Sequence, residues 1–230
     1  MPIFVLEDEP FFPPPELASK EGIIAVGGDL SPERLLNAYK TGIFPWYSEG
    51  EPILWWSPNP RLVLFPEDLR VSQSMKKFLK NTSFHLTVDN KFVEVIDGCR
   101  APRRSQANTW ITPAMRAAYI ELHQLGFAHS VEVFSSEELV GGLYGVSLGK
   151  CFFGESMFSA VSNSSKLAFI KLVQALAKEK FLMVDCQVPS EHLKRLGAKE
   201  IPRNEFLDLL KKGLQYKTIT GNWGFLDLTE

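Results

Sequence analysis

A chain of 230 residues, 45% hydrophobic and 23% charged, has ordinary globular composition, which excludes disordered and fibrous classes and leaves room for one large domain or two modest ones. Its formal charge of −2 excludes a protein that coats nucleic acid through overall basicity, while leaving a local basic patch open. No apolar run reaches the roughly 18–20 residues that span a bilayer, and the start, Met1 to Leu6 running into Glu7, Asp8 and Glu9, has no basic leader or cleavage site, so no signal peptide is expected.

In chain order, Phe11-Phe12-Pro13-Pro14-Pro15 cannot form an interior helix or strand. An apolar run from Ile23 to Val26 enters a turn at Gly27-Gly28. Ser31-Pro32-Glu33 then reads as a helix start, with Ser31 as cap and Pro32 in the first position. Leu35, Leu36 and Tyr39 form that helix's apolar face, and Gly42 ends it. Prolines and tryptophans crowd Ile43 to Pro66. Residues 1–61 are expected to form a small N-terminal domain and 62–230 a second one.

The second part alternates helices and strands. A helix spans about Ser72 to Lys80 with Met75, Phe78 and Leu79 inward, and a strand spans Phe84–Val88. Another helix after Asn90 carries Phe92, Val95 and Ile96 on one face. Thr112-Pro113 opens a helix whose stripe is Met115, Ala118, Tyr119 and Leu122. Strands follow at Ser130–Phe134, Leu139–Leu148 and Cys151–Met157. Next come a long helix after Ser162-Asn163, a strand at Leu182–Val188, a short helix from Ser190 to Leu196, and a last helix from about Arg203. The expected fold class is α+β, a largely antiparallel sheet flanked by helices.

Two strands carry polar groups among apolar neighbours. Alternation puts Asp185 and Gln187 on one side and Val184, Cys186 and Val188 on the other. Either this is an edge strand with one wet face, or the polar pair borders a cleft. In Cys151–Met157, alternation puts Phe153, Glu155 and Met157 on one face: a carboxylate framed by two large apolar groups, suited to an apolar pocket or to a salt-bridged core position. Cys186 lies with the valines as an inert thiol, and no Gly-x-Ser-x-Gly elbow occurs.

Residues 70–104 carry a net +5, the rest of the chain −7. Within that stretch Lys76, Lys77 and Lys80 share a helix face, which reads as a solvated face or, with Trp46, Trp55, Trp56 and Trp110 in turn-rich flanks, as a phosphate footprint beside stacking rings. Cys99, Cys151 and Cys186 are too scattered for a disulfide framework. With His85, His123, His129 and His192 they show no ligand spacing, so no metal and the reduced thiols of a cytoplasmic protein are expected.

Taken in order, Gly28-Asp29-Leu30-Ser31-Pro32, Gly42-Ile43-Phe44-Pro45-Trp46, Pro52-Ile53-Leu54-Trp55-Trp56-Ser57-Pro58, Thr109-Trp110-Ile111-Thr112, Gly154-Glu155-Ser156-Met157-Phe158-Ser159 and Asp185-Cys186-Gln187-Val188 resemble the bacterial leucyl/phenylalanyl-tRNA–protein transferase family. The resemblance implies transfer of Leu or Phe, more weakly Met, from aminoacyl-tRNA to proteins with an N-terminal Lys or Arg, marking them for N-end-rule degradation. It implies a GNAT-like C-terminal domain, no cofactor, and a single copy in the cytoplasm without membrane attachment. By position, Trp46 and Trp110, with Tyr39 and Tyr119 near them, would hold the terminal adenosine. Phe153, Met157 and Leu143 would line the side-chain pocket, with Leu143 where a methionine is expected. Glu155, Asp185 and Gln187 would face the reacting groups, and Lys76, Lys77 and Lys80 the tRNA phosphates. The chain after Arg203 receives no role.

Two other readings compete. An acetyl-CoA-dependent N-acetyltransferase needs glycines before the long helix to cradle a pyrophosphate, and Ser159 to Lys166 contains none. A non-catalytic RNA-binding module leaves Asp185, Gln187 and Glu155 without a task.

Overall fold

The computed structural model describes residues 3–101 and 109–228. The first elements are β1 (Phe4–Leu6), β2 (Ile23–Gly27), α1 (Pro32–Lys40), β3 (Phe44–Pro45) and β4 (Leu54–Trp56). Their strands form one sheet in the order β1-β2-β4-β3, with β1 parallel to β2 and the other pairs antiparallel. As its residues predict, α1 is capped by the Ser31 side chain, which accepts from the Arg34 N–H, and begins with Pro32. Arg34 is fully buried. Its guanidinium donates to the carbonyls of Glu7, Asp8 and Glu9, which anchors the N-terminal stretch that has few hydrogen bonds of its own.

The rest runs β5 (Arg61–Leu64), α2 (Gln73–Asn81), β6 (His85–Val88), α3 (Phe92–Arg100), α4 (Pro113–Gln124), β7 (Ala128–Ser135), β8 (Glu138–Leu148), β9 (Cys151–Ser159), α5 (Ser164–Lys178), β10 (Met183–Gln187), α6 (Glu191–Arg195), β11 (Lys199–Ile201) and α7 (Arg203–Gly213). The strands form a seven-stranded sheet in the order β11-β5-β10-β9-β8-β7-β6. Every pairing is antiparallel except β9 with β10, where α5 supplies the crossover that a parallel pair needs. The predicted helices and the long strands fall within a residue or two of their observed bounds. The short β1, β3, β4, β5 and β11 are not among the predicted strands, because two to four residues show too little periodicity.

Two apolar layers flank this sheet. One face packs against α1, α3, α4 and α7 and includes Tyr39, Met115, Tyr119, Phe153 and Phe206. The other packs against α5 and the C-terminal tail and includes Leu143, Phe152, Phe169, Val184 and Trp223. That tail, given no role by the sequence, closes the second layer. Trp223 is buried, stacks on His129 at 3.8 Å and donates its backbone N–H to Asp89. Gly126 permits the tail to pass, since a Cβ there would lie 2.2 Å from the Gly221 nitrogen. No described helix is long and apolar enough to cross a membrane.

Candidate active site

β10 is an interior strand between β5 and β9, so the edge-strand reading of Asp185 is wrong. Asp185 is fully buried and faces the Arg61 side chain at the start of β5. Arg61 donates Nε to Asp185 Oδ1 at 2.8 Å and Nη2 to Oδ2 at 2.7 Å. The guanidinium also lies over the rings of Phe44 and Phe206, 4.7 and 4.5 Å from their centroids. Such a bidentate pair satisfies the geometry that a buried carboxylate requires. Asp185 Oδ1 also accepts the Gln187 backbone N–H at 2.9 Å. Both Asp185 oxygens are thus engaged by groups of the chain itself.

The strand ends irregularly. Gln187 has φ +63° and sits at a register shift against β5, while the Val188 N–H bonds back to the Cys186 carbonyl. A left-handed glutamine in a tight turn is strained and needs the Asp185 bond to hold it. The turn also breaks alternation, so Val188 packs against the Tyr39 layer while still lining the cavity beside Val184 and Cys186.

β9 carries a second irregularity. Tyr144 pairs with Ser156 and Gly145 with Gly154, leaving Glu155 as a bulge. The strand therefore flips between Phe153 and Met157, and the predicted shared face of Phe153, Glu155 and Met157 does not exist. Phe153 is buried against Tyr39, with ring centroids 5.0 Å apart. Phe152 faces the other layer instead. Gly145 is required there, because a Cβ would lie 2.6 Å from the Phe152 ring and 2.3 Å from the Phe153 carbonyl oxygen.

The bulge aims Glu155 at three donors. Tyr39 Oη donates to its Oε1 at 2.8 Å, Tyr119 Oη to its Oε2 at 2.8 Å, and Gln187 Nε2 to Oε1 at 2.9 Å. The two tyrosine hydroxyls are themselves 2.5 Å apart. Burial, with the Asp185 charge adding to it, pushes the Glu155 carboxyl up to about 7 against the pull of these donors. Burial and the Glu155 charge push both tyrosines well above their usual range, so they stay protonated. Tyr39 and Tyr119 are fully buried and bound to Glu155. Neither ring therefore presents an open stacking face. Because its amide nitrogen faces Glu155, Gln187 keeps its carbonyl oxygen free of hydrogen bonds among the described residues.

A cavity of about 240 Å³ adjoins this network. Leu143, Phe152, Met157, Phe169, Val184 and Cys186 make its apolar wall, and Glu155, Asp185 and Gln187 border it. Leu143 and Met157 line it as expected and are direct cross-strand partners; Phe152 takes the place expected of Phe153. Burial, together with the Asp185 charge, raises the Cys186 thiol far above its ordinary range, which leaves it an apolar wall group.

Trp46 is 40% exposed and leans on Trp56, whose indole N–H donates to the Trp46 carbonyl. Trp110 is half-buried, and no ring contact joins it to Trp46 among the described residues. Lys76, Lys77 and Lys80 are exposed on α2, remote from these rings in the chain and on a helix packed through Met75 into the opposite layer. The wider basic stretch is less open than its charge suggests: Lys91 pairs with Glu94, and Arg100 donates to the Ile111 carbonyl. Arg103 and Arg104 lie outside the described residues.

Sequence reasoning missed Arg61, Phe152 and Phe169. Arg61 was signalled, since an arginine heading the apolar run Leu62-Val63-Leu64 enters a buried strand only with an acid to meet it. The Phe152/Phe153 exchange had no signal, because a bulge leaves none in the alternation.

The family model for leucyl/phenylalanyl-tRNA protein transferase matches residues 63–211, and that for its N-terminal domain matches residues 28–59. A leucyl/phenylalanyl-tRNA–protein transferase of Desulfatibacillum aliphaticivorans is 55% identical over 97% of this chain and 96% of its own. One of Syntrophus aciditrophicus (strain SB) is 54% identical over 97% and 94%. Among solved structures, L-PGS from Bacillus licheniformis aligns with a TM-score of 0.41 at 9% identity, over 74% of this chain and 55% of that one.

Proposed function

The chain belongs to the leucyl/phenylalanyl-tRNA–protein transferase family, and on that premise we propose how its residues divide the work of moving an amino acid from tRNA to a protein. The donor's leucyl or phenylalanyl side chain fills the cavity walled by Leu143, Phe152, Met157 and Phe169. The acceptor is the α-amine of a protein that begins with Lys or Arg. Trp46 and Trp110 serve the terminal adenosine, and Lys76, Lys77 and Lys80 meet tRNA phosphates. One copy of the chain suffices, divided near residue 61 into a small N-terminal and a larger transferase domain.

The reaction asks little of a catalyst beyond placement. An aminoacyl ester is already activated, and the amine attacks its carbonyl carbon to form an amide as the C–O bond to the ribose breaks. The amine's proton passes to the departing ribose oxygen. An α-amine with pKa about 7.7–8.0 loses its ammonium proton at pH 7 for only about 1–1.4 kcal/mol. Holding amine and ester in line contributes about 7–11 kcal/mol.

The observation that carries this reading is the continuous hydrogen-bond chain from Arg61 through Asp185, Gln187 and Glu155 to Tyr39 and Tyr119, laid against an apolar cavity. Asp185 fixes the strained backbone of Gln187, and Glu155 fixes its amide. The Gln187 carbonyl oxygen then accepts an N–H of the attacking amine and aims its lone pair. In this scheme Asp185 and Glu155 are positioning residues.

Purified protein, leucyl-tRNA and a peptide beginning with Arg, with no nucleoside triphosphate, should give leucyl-peptide. The same peptide with an acetylated N-terminus should give none. Transfer to the acetylated peptide, or a requirement for a triphosphate, overturns the proposal.

A further inference from the structure

A second cavity, of about 240 Å³, lies across α6 from the apolar one. Ser190 and Leu193 face the apolar cavity, while His192 and Arg195 line the second. On α5 the two cavities follow one another along one face: Phe169 lines the first, and Lys166, about one turn earlier, the second. The remaining wall is the approach to α2, with Arg70, Ser72 and Ser74. The side-chain contacts within it are local: Lys166 donates to Asn163 at 3.4 Å, and the Ser72 and Ser74 hydroxyls lie 3.1 Å apart.

Among the described residues no aspartate or glutamate lines this cavity. Three acids of the flanking segments are paired elsewhere, Glu191 and Glu200 with Lys194 and Asp68 with Lys199. Among the described residues Arg70, Lys166 and Arg195 form no ion pair. Three cations held around one hollow without a counter-charge repel one another, and a bound anion relieves that repulsion. The same field, added to burial, holds His192 below its ordinary range.

We propose that this cavity holds a backbone phosphate of the donor tRNA near its esterified end, an inference that rests on the function read above. An RNA phosphate fits better than an acidic group of the acceptor. The acceptor's first residue is itself cationic and would be repelled from this hollow. The α5 residues that line the two cavities lie about one turn, roughly 5 Å, apart along that helix, within reach of a strand's last nucleotides. α2 continues from the cavity with exposed Lys76, Lys77 and Lys80, which extends the cationic path outward.

The test compares the full chain with the double variant Arg70→Gln/Arg195→Gln, using uncharged tRNA, leucyl-adenosine (which lacks phosphate) and inorganic phosphate. The variant should bind tRNA about ten-fold more weakly, with a salt slope shallower by about 0.7 or more. It should use leucyl-adenosine as donor with unchanged kcat/KM. Wild-type tRNA affinity in the variant overturns the inference, including the case where inorganic phosphate binding alone is lost. So does a raised KM for the acceptor peptide with tRNA binding intact, or an equal loss with leucyl-adenosine. Uncharged tRNA binding is read without any transfer. Failure there sinks only the phosphate site, whereas absence of transfer from leucyl-tRNA by the unaltered chain sinks the functional reading beneath it.

Discussion

Glu155 concentrates most of the site's electrostatics in one side chain. Its carboxyl is raised by burial to about 7, so the folded chain holds a proton there that the unfolded chain releases near the ordinary glutamate range. A raised carboxyl contributes stability that is complete below the unfolded pKa and lost as pH rises through the folded one. Between about pH 5 and 8 that loss is on the order of 3 kcal/mol. Glu132, also raised by burial, adds in the same direction. Chemical denaturation should therefore show stability falling across this range, and Glu155→Gln should flatten part of the fall. Equal slopes in the two proteins would contradict the assignment. The identity of this residue, with Asp185 and Gln187, was legible because polar side chains in apolar strands demand partners. The partners themselves, two buried tyrosines and Arg61, come from distant elements that no local pattern joins.

At the scale of elements, the site exists because β9 and β10 each break their own regularity. The Glu155 bulge turns a carboxylate toward α1 and α4 while Phe152 and Met157 face α5. The Gln187 turn ends β10 with an amide over the same network. Strand alternation predicted the strands but put Met157 on the face of Phe153 and Val188 wholly on that of Val184 and Cys186, since each irregularity shifts every later residue by one. Helices fared better: the Ser31 and Thr112 caps are both observed, because a cap is a local event. The pocket wall gives a direct check. Cys186→Leu adds bulk to a cavity of about 240 Å³ and should lower kcat/KM for phenylalanyl-tRNA at least ten-fold more than for leucyl-tRNA, in single-donor transfer assays. Equal losses for both donors would place the side chain elsewhere.

Across the whole molecule, one sheet separates two tasks. The layer with α1 and α4 holds the Tyr39–Tyr119–Glu155 network, and the layer with α5 and the tail shapes the apolar cavity. The order of motifs along the chain made the family legible. The tail did not, because its contribution is packing: Trp223 fills the space beside His129, Phe152 and Phe181. Trp223→Ala should cost about 3–5 kcal/mol by denaturant unfolding, and a cost below about 1 kcal/mol would mean the tail only drapes the surface. The central claim is that the fixed Gln187 amide aims the attacking amine, so its most direct test is single-turnover leucine transfer by Gln187→Ala at saturating donor and acceptor. A rate lowered by about 10² or more, with donor and acceptor affinities kept, is the predicted result; a rate near that of the unaltered chain contradicts it.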